Sequence, residues 1–116
     1  MKMSKLDQIK EKERQYVLLK IYGCLLSSRQ KEDLSSYLGF DLSLSEISNE
    51  LGVSKAAISD SIHKAISNLE YFESKLHLYQ KGLILKEKII EIEKSKDEKE
   101  KLDLYRNLGK DIIDGI

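Results

Sequence analysis

The stretch from residue 42 to residue 72 constrains the fold more than any other part of the chain, because it carries the start and stop signals of two successive helices. Ser43 followed by Glu46 forms a capping box, which starts the first helix. Gly52 ends it, because glycine adopts the left-handed turn conformation at low cost. Ser54 then caps a second helix. Its apolar residues recur at helical spacing: Ile58, Ile62, Ala65, Ile66 and Leu69. Two helices joined by so short a turn indicate a helix-turn-helix motif.

The same motif predicts which of its side chains are buried and which are exposed. We expect Ile47, Leu51 and Val53 to pack against the apolar stripe of the second helix, and the small Ser48 to lie where the two helices cross. In a DNA-reading helix-turn-helix, the N-terminal part of the outward face of the second helix enters the major groove. The candidate DNA-contacting residues on this face are Lys55, Ala56, Ser59, Asp60, His63 and Lys64. The alternative is a helical hairpin whose polar face is simply solvated.

The rest of the chain also favours helices. It contains no proline, and Lys, Glu, Leu, Ile and Ser dominate its 116 residues. The sequence therefore predicts an all-α protein with a helix-turn-helix domain of three to four helices over residues 1–82. A C-terminal helical extension follows over residues 83–116. We expect the second motif helix to run on towards Gly82, which permits a break.

The segments before the motif supply two further helices. Residues 16–26 are apolar nearly all round, which is typical of a helix buried on two sides. One side can pack on the motif; the other either meets a second subunit or completes the core of a monomer. Cys24 is expected to be a small buried hydrophobe in this helix. Ser27 and Gln30 form another capping box, and Gly39 is expected to end the helix that it starts.

The C-terminal extension is amphipathic but gives weaker signals. Residues 83–94 form one segment, whose apolar side is Leu85, Ile89 and Ile92. Residues 95–101 contain no apolar side chain and form either a loop or an exposed helical stretch. The remaining residues favour a short helix with Leu104, Leu108 and Ile112 on one face. Self-association as a homodimer is expected through this extension or through the apolar helix near the N-terminus.

Charge limits the strength of any DNA binding. The chain has 20 basic and 20 acidic residues, which excludes a strongly basic nucleic-acid coat. Residues 40–72 contain two lysines and five acids, whereas residues 1–39 contain eight basic and five acidic side chains. Arg29 and Lys31 on the preceding helix can add to the phosphate contacts of the motif. We therefore expect weak binding to double-stranded DNA.

Three phrases of the sequence, LLSSRQ, SYLGFDLSLSEISNELGVS and FESKLHLYQKG, resemble the YlxM-like family of small bacterial proteins. The resemblance covers residues 15–82 and implies a helix-turn-helix similar to region 4 of sigma-70 factors. It also implies DNA binding and a link to the signal recognition particle, the latter because the family's genes lie near those of the particle's GTPases. The chain departs from the pattern at residues 55–57, where it has Lys-Ala-Ala in place of an arginine and bulkier polar groups. It also has Ser48 where such motifs favour alanine.

No arrangement of residues indicates catalysis. His63 and His77 lie in predicted helices without the cysteine or carboxylate spacing of a metal site, and we expect both at the surface. A glycine-rich phosphate loop and a nucleophile elbow are both missing from the sequence. We therefore expect no enzyme activity, no cofactor and no metal. The charged N-terminus and the short apolar run predict a soluble cytoplasmic protein without membrane insertion.

Two functions remain compatible with these features. The first is a DNA-binding regulatory protein of modest affinity. The second is a protein-interaction adaptor that binds components of the signal recognition particle without binding DNA. A continuous basic strip past Lys55, Lys64, Arg29 and Lys31 would favour DNA, whereas an exposed apolar patch on the C-terminal helices would favour a protein partner.

Overall fold

The computed structural model describes residues 3–115, and within this range it contains six α-helices and no strand, which confirms the all-α prediction. The helices are α1 (Lys5–Tyr22), α2 (Ser28–Gly39), α3 (Leu44–Leu51), α4 (Lys55–Leu76), α5 (Leu78–Glu93) and α6 (Glu98–Ile113). The chain divides into two compact units, the first ending at His77 and the second beginning at Leu78. The three outermost residues of the predicted domains, 1, 2 and 116, lie outside the described range.

In the first unit, α4 is the central helix, and α1, α2 and α3 all pack against it. Its predicted stripe faces the core: Ile58, Ala65 and Leu69 are fully buried and Ile62 is 4% exposed. Ile66, at the edge of the stripe, is half-buried. The other three helices contribute buried side chains to the same core, among them Leu18, Leu34 and Ile47. The motif helix therefore organises the packing of the whole unit.

The predicted helix starts are confirmed in atomic detail. The Ser43 hydroxyl accepts a hydrogen bond from the backbone N–H of Glu46, and the Glu46 side chain accepts from the N–H of Ser43. Ser27 and Gln30 make the same reciprocal pair at the start of α2. Because these bonds satisfy N–H groups that a helix leaves unpaired at its start, the boundaries follow from local sequence.

The predicted burial of Cys24 is wrong. The apolar run of residues 16–26 buries Leu18, Leu19 and Tyr22, but the Cys24 side chain is exposed. Helix α1 ends at Tyr22, and a 3₁₀ turn over Gly23–Leu25 redirects the chain, so α-helical spacing no longer sets the direction of Cys24. Gly23 itself is buried, and a Cβ atom there would lie 3.3 Å from a methyl group of Leu19.

The chain breaks at His77 and not at Gly82. His77 adopts a left-handed conformation, with φ of 55°, and its N–H donates to the carbonyl of Glu73. Helix α5 then passes through Gly82 without interruption. Glycine inside a helix costs only about 1 kcal/mol relative to alanine and does not force a break. Histidine, in contrast, is among the residues that tolerate the left-handed region.

A smaller difference occurs at the end of α2. Gly39 does not lie beyond this helix as its stop: it is the last helical residue, and Phe40 forms the C-cap. The left-handed residue of the connection is Asp41, with φ of 51°. Asp41 can occupy this region because its short polar side chain tolerates a positive φ.

The second unit is a hairpin of α5 and α6. Ile92 and Leu108 are its buried apolar residues, each 7% exposed. Residues 95–97 form a loop, and Asp97 caps α6 by accepting from the N–H of Lys99, so the segment 95–101 is part loop and part helix. Helix α6 spans 16 residues and is longer than the short helix predicted. Leu85 is half-buried and Ile89 is 43% exposed, so the predicted apolar side of α5 is only partly covered.

Candidate nucleic-acid interface

Backbone hydrogen bonds hold the turn between α3 and α4 in one conformation. Gly52 has φ of 66°, in the left-handed region, as predicted. The N–H groups of Gly52 and Val53 both donate to the carbonyl of Ser48, at 3.0 and 3.3 Å. The Ser48 hydroxyl in turn donates to the carbonyl of Val53. Serine at this position therefore adds a hydrogen bond across the turn that the alanine typical of such motifs cannot make.

The first turns of α4 present the predicted face to solvent. Ser54 caps the helix by accepting from the N–H of Ala57 at 3.1 Å. The predicted contact residues are exposed, apart from the half-buried Ser59: Lys55, Ala56, Asp60, His63 and Lys64. Leu51, expected to be buried against α4, is 43% exposed. It is the last residue of an eight-residue helix, and Ile47, one turn earlier, makes the buried contact.

A cleft of about 370 Å³ runs along one side of this face, between α4 and α1. Ser59 and His63 line it from α4, and Ile62 lies among its lining residues. The side chains lining it from α1 are Gln8, Glu11, Lys12 and Gln15. Sequence analysis did not identify these residues as part of the interface, because only the tertiary fold brings them next to the motif.

A second cleft, of about 480 Å³, lies between α4 and the N-terminus of α2. Arg29 and Gln30 line it from α2, and Asp60 and Lys64 line it from α4. The fold thus brings Arg29 and Lys64 to one cleft, as the sequence predicted. Lys31 does not join them: it lines a different cleft, together with Lys20 and Cys24. The continuous basic strip past all four cations, which would favour DNA, is therefore interrupted at Lys31.

Acidic partners offset most of the positive charge at the motif. Lys64 pairs with Asp60 at 3.0 Å, one turn earlier on α4. Arg29 lies 3.5 Å from the carboxylate of Asp33, which is only 1% exposed. On the other side of α4, Lys12 pairs with Asp41 at 3.4 Å and sits 4.5 Å above the ring of Tyr37. Lys55 is the one cation among these without an ion pair in the part of the chain that the structure describes.

His63 is held in a defined orientation on the exposed face. Its Nδ1 lies 2.7 Å from the carbonyl oxygen of Ser59. Because a carbonyl can only accept, Nδ1 must carry the proton, and this fixes the tautomer of the neutral ring. Nε2 is then left to accept a hydrogen bond in the neutral ring or to donate one in the protonated ring. The second histidine, His77, is also exposed, so both histidines lie at the surface as predicted.

Two further findings concern the described residues as a whole. Within residues 3–115, no three His, Cys, Asp or Glu side chains are arranged to hold a metal ion. None of the helices in this range combines the length and apolar character that crossing a membrane requires.

Comparison with known proteins places these features in a family. A family model, UPF0122, described as "Putative helix-turn-helix protein, YlxM / p13 like", matches residues 9–108. The match extends well past residue 82, so it includes α5 and most of α6. The chain is 46% identical over 84 residues to proteins named "Probable UPF0122 protein" in Mycoplasma mycoides and "UPF0122 protein" in Mycoplasma capricolum subsp. capricolum. Each of these alignments covers 72% of this chain and 74% of the relative.

A third relative comes from a different bacterial group. The chain is 41% identical over 73 residues to the UPF0122 protein of Latilactobacillus sakei subsp. sakei. This alignment covers 63% of the chain and 65% of that protein.

Proposed function

Since the chain belongs to the UPF0122 family of YlxM/p13-like helix-turn-helix proteins, we propose that it is a DNA-binding regulatory protein that reads duplex DNA with the N-terminal part of α4. The observation that carries this proposal is the capped, hydrogen-bonded turn from Gly52 to Ser54, which leaves the first turns of α4 exposed. That is the geometry by which a recognition helix enters the major groove.

The residues beside α4 suit contacts to the phosphate backbone. At the second cleft, Arg29 and Lys64 lie close to the start of α2, where the helix dipole favours an anion. At the first cleft, Lys12 and the exposed amide of Gln8 can donate to a phosphate on the other side of the groove. These contacts position the helix on DNA but carry no sequence information.

The distribution of charge around α4 determines how tightly we expect the protein to bind DNA. Lys55 is available for a phosphate, whereas Lys64 and Arg29 must weaken their bonds to Asp60 and Asp33 before they bind one strongly. Each phosphate contact contributes about −0.9 to the slope of log affinity against log salt, so few contacts mean weak binding and a shallow slope. We expect measurable binding at low salt and little at high salt.

Two single substitutions on the same face test this proposal in opposite directions. Lys55→Glu should weaken binding to a duplex, because it repels phosphate at the free cation. Asp60→Asn should strengthen binding by roughly threefold to tenfold, because it removes an acid and releases Lys64. Fluorescence anisotropy with a labelled duplex at low salt measures both. Lys96→Glu, in the loop of the second unit, is the matched control for Lys55→Glu.

The binding results of these variants distinguish DNA reading through α4 from binding elsewhere and from no binding. Weakening by Lys55→Glu and strengthening by Asp60→Asn, with the Lys96→Glu control unchanged, supports reading through α4. If all three variants bind as the parent does, α4 is not the reading surface. If the parent binds no duplex even at low salt, DNA binding is refuted.

A second candidate function is a protein-interaction adaptor for components of the signal recognition particle. The observation that favours it is the neutralised motif: Lys64 and Arg29 are paired with acids, while Phe40 before α3 and Leu51 at its end are 75% and 43% exposed. Apolar side chains exposed next to a polar surface whose charges are mostly paired suit a protein partner better than a polyanion. Binding of the purified particle, tested with the parent and with Phe40→Glu, distinguishes this function from the first.

A further inference from the structure

The α5–α6 hairpin leaves most of its large apolar side chains uncovered. Its buried apolar residues among those described are Ile92 and Leu108. Eight others are 38–84% exposed in the whole chain: Leu78, Leu83, Ile84, Ile89, Ile90, Leu102, Ile112 and Ile113. A unit of fewer than about 40 residues seldom forms a stable structure on so small a core without a metal, a disulfide or association. The hairpin therefore needs a surface to pack against.

The amount of uncovered surface matches that of a protein interface. Eight half-exposed Leu and Ile side chains present roughly 500 Å² of apolar surface, at the upper end of what monomers leave exposed. A stable interface takes about 800 Å² from each partner, and somewhat more than half of it is apolar. The hairpin supplies this apolar share without any contribution from the first unit.

The charges of the hairpin identify the partner. Residues 78–116 carry nine basic and nine acidic side chains, so the hairpin has no net charge with which to attract a polyanion or a strongly basic protein. On the side of α5 that lies midway between Ile89 and Ile90, Lys86 precedes this pair by three residues and Glu93 follows it by three. A surface with this order of charges is complementary to a copy of itself in the reverse direction.

We propose that two copies of this chain associate through their α5–α6 hairpins, with α5 packed antiparallel against α5 of the second copy. The two-fold axis lies between Ile89 and Ile90. About that axis, Lys86 stands level with Glu93 of the second copy. This pair occurs twice, as a two-fold interface requires. The exposed isoleucines at the centre provide the apolar contact, and the two flanking ion pairs set direction and register.

The structure of the first unit supports this location over the other segment expected to self-associate. Helix α1 buries Leu18, Leu19 and Tyr22 within its own unit, although Tyr16 and Leu25 of the same apolar run are 40% and 55% exposed. The middle of this run therefore completes the core of one protomer. In α5 the two residues at the proposed axis are adjacent, 43% and 50% exposed, and flanked by opposite charges.

The first test measures molar mass in solution. Light scattering and sedimentation equilibrium of the full chain, without DNA, should show a dimer that dissociates on dilution. Replacing both central residues, Ile89→Glu with Ile90→Glu, should raise the dimer dissociation constant at least about tenfold, because it places four carboxylates at the axis. Phe40→Glu is the control: it is an apolar-to-acid change at a side chain of the first unit that is 75% exposed, and it should leave the dimer intact. Circular dichroism checks that each variant keeps its helix content.

The second test asks whether the partner is another copy in the antiparallel direction. Lys86→Glu should weaken self-association, and Lys86 has no ion pair among the described residues that this would break. Glu93→Lys should do the same. Because it also removes the contacts of Glu93 with Tyr105 and Lys101 in its own hairpin, circular dichroism must show that this variant keeps its helices. Mixing the two variants should restore a dimer that contains one chain of each, because every reversed charge then faces its opposite.

Several results would overturn the proposal. One is a parent chain that stays monomeric over the full accessible concentration range. Another is a dimer that survives the double isoleucine substitution but dissociates with Phe40→Glu. A third is two charge-reversed variants that remain monomeric when mixed, although each keeps its helices. A homodimer demonstrated this way does not depend on DNA binding, so either proposal can fail alone.

Discussion

The buried phenol of Tyr22 donates a 2.6 Å hydrogen bond to Oε1 of Glu73. Tyr22 is the last residue of α1 and is 1% exposed, and Glu73 lies near the end of α4 and is 6% exposed. The Tyr22 ring also packs against Phe72, with 6.0 Å between centroids. A buried carboxylate is costly without such a donor. This contact therefore fixes where α1 ends against the motif helix.

Replacing Tyr22 by phenylalanine should destabilise the first unit by roughly 1–3 kcal/mol, because a buried carboxylate loses a donor while the ring packing is kept. Urea unfolding followed by circular dichroism measures this change. Tyr71→Phe is the control: Tyr71 is 60% exposed, and its substitution should change stability by less than about 0.5 kcal/mol. Equal stability of the two variants would show that the Tyr22–Glu73 bond contributes nothing.

Gly52→Ala should destabilise the motif by about 1–2 kcal/mol, a cost that comes from the backbone. The φ angle is 66°, and no atom lies within 4 Å of the position that a Cβ would occupy. Gly52→Asn should cost less, because asparagine visits the left-handed region more readily. Urea unfolding of the three proteins ranks them. If alanine and asparagine are equally tolerated, the left-handed turn is not maintained in solution.

The features that sequence predicted correctly are those set within a few residues. Ser43 with Glu46 and Ser27 with Gln30 specify helix starts through bonds between residues three apart, and Gly52 specifies the turn through its own backbone. These signals do not depend on the rest of the fold. The motif and the first part of α4 can therefore be located from the amino-acid sequence alone.

The features that sequence missed depend on packing between distant segments. Cys24 lies in an apolar run, but its exposure follows from where Tyr22 anchors the end of α1. Lys12 reaches the edge of the motif only because α1 packs on α4. Lys31 is close in sequence to Arg29 but lines another cleft, since residues two apart on a helix point in different directions. No local pattern carries this information.

A hydrogen bond in the second unit should make the titration of Glu93 depend on Tyr105. The Tyr105 hydroxyl donates to Glu93, which lowers the pKa of that carboxyl, and the nearby Lys101 ammonium lowers it further. The ionised Glu93 therefore stabilises the hairpin above its ordinary pKa, and this contribution is lost as pH falls through the lowered value. Tyr105→Phe should raise the pKa of Glu93 towards its ordinary value, as followed by carbon NMR.

A second substitution, at Lys101, gives a comparison for the change that Tyr105→Phe causes in the pKa of Glu93. Lys101→Ala should shift the pKa of Glu93 in the same direction but by less, because the tyrosine hydrogen bond is the larger cause. The converse holds for the phenol: the Glu93 carboxylate raises the pKa of Tyr105, so this hydrogen bond is lost only as pH rises through the raised value. A Glu93 titration unchanged by either substitution would mean that the contact does not persist in solution.

The last prediction concerns the salt dependence of DNA binding. Lys55 and Lys64 are the two lysines on the exposed face of α4 in its first turns. With few phosphate contacts, the slope of log affinity against log salt should be about −2 to −4, and replacing both lysines by alanine should reduce its magnitude by about two. Neither residue lies on the buried stripe, so the double variant should unfold at the same urea concentration as the parent.

A matched pair of lysines outside the interface gives this measurement its control. Lys96→Ala with Lys99→Ala removes the same charge from the second unit, where both residues are exposed, and should leave the slope unchanged. Equal losses from the two double variants would mean that binding responds to total charge and not to α4. Because Lys64 is held by Asp60 at 3.0 Å, we also expect Lys55→Ala alone to account for more than half of the affinity lost in the double variant. The reverse order would show that Lys64 leaves Asp60 for a phosphate when DNA is bound.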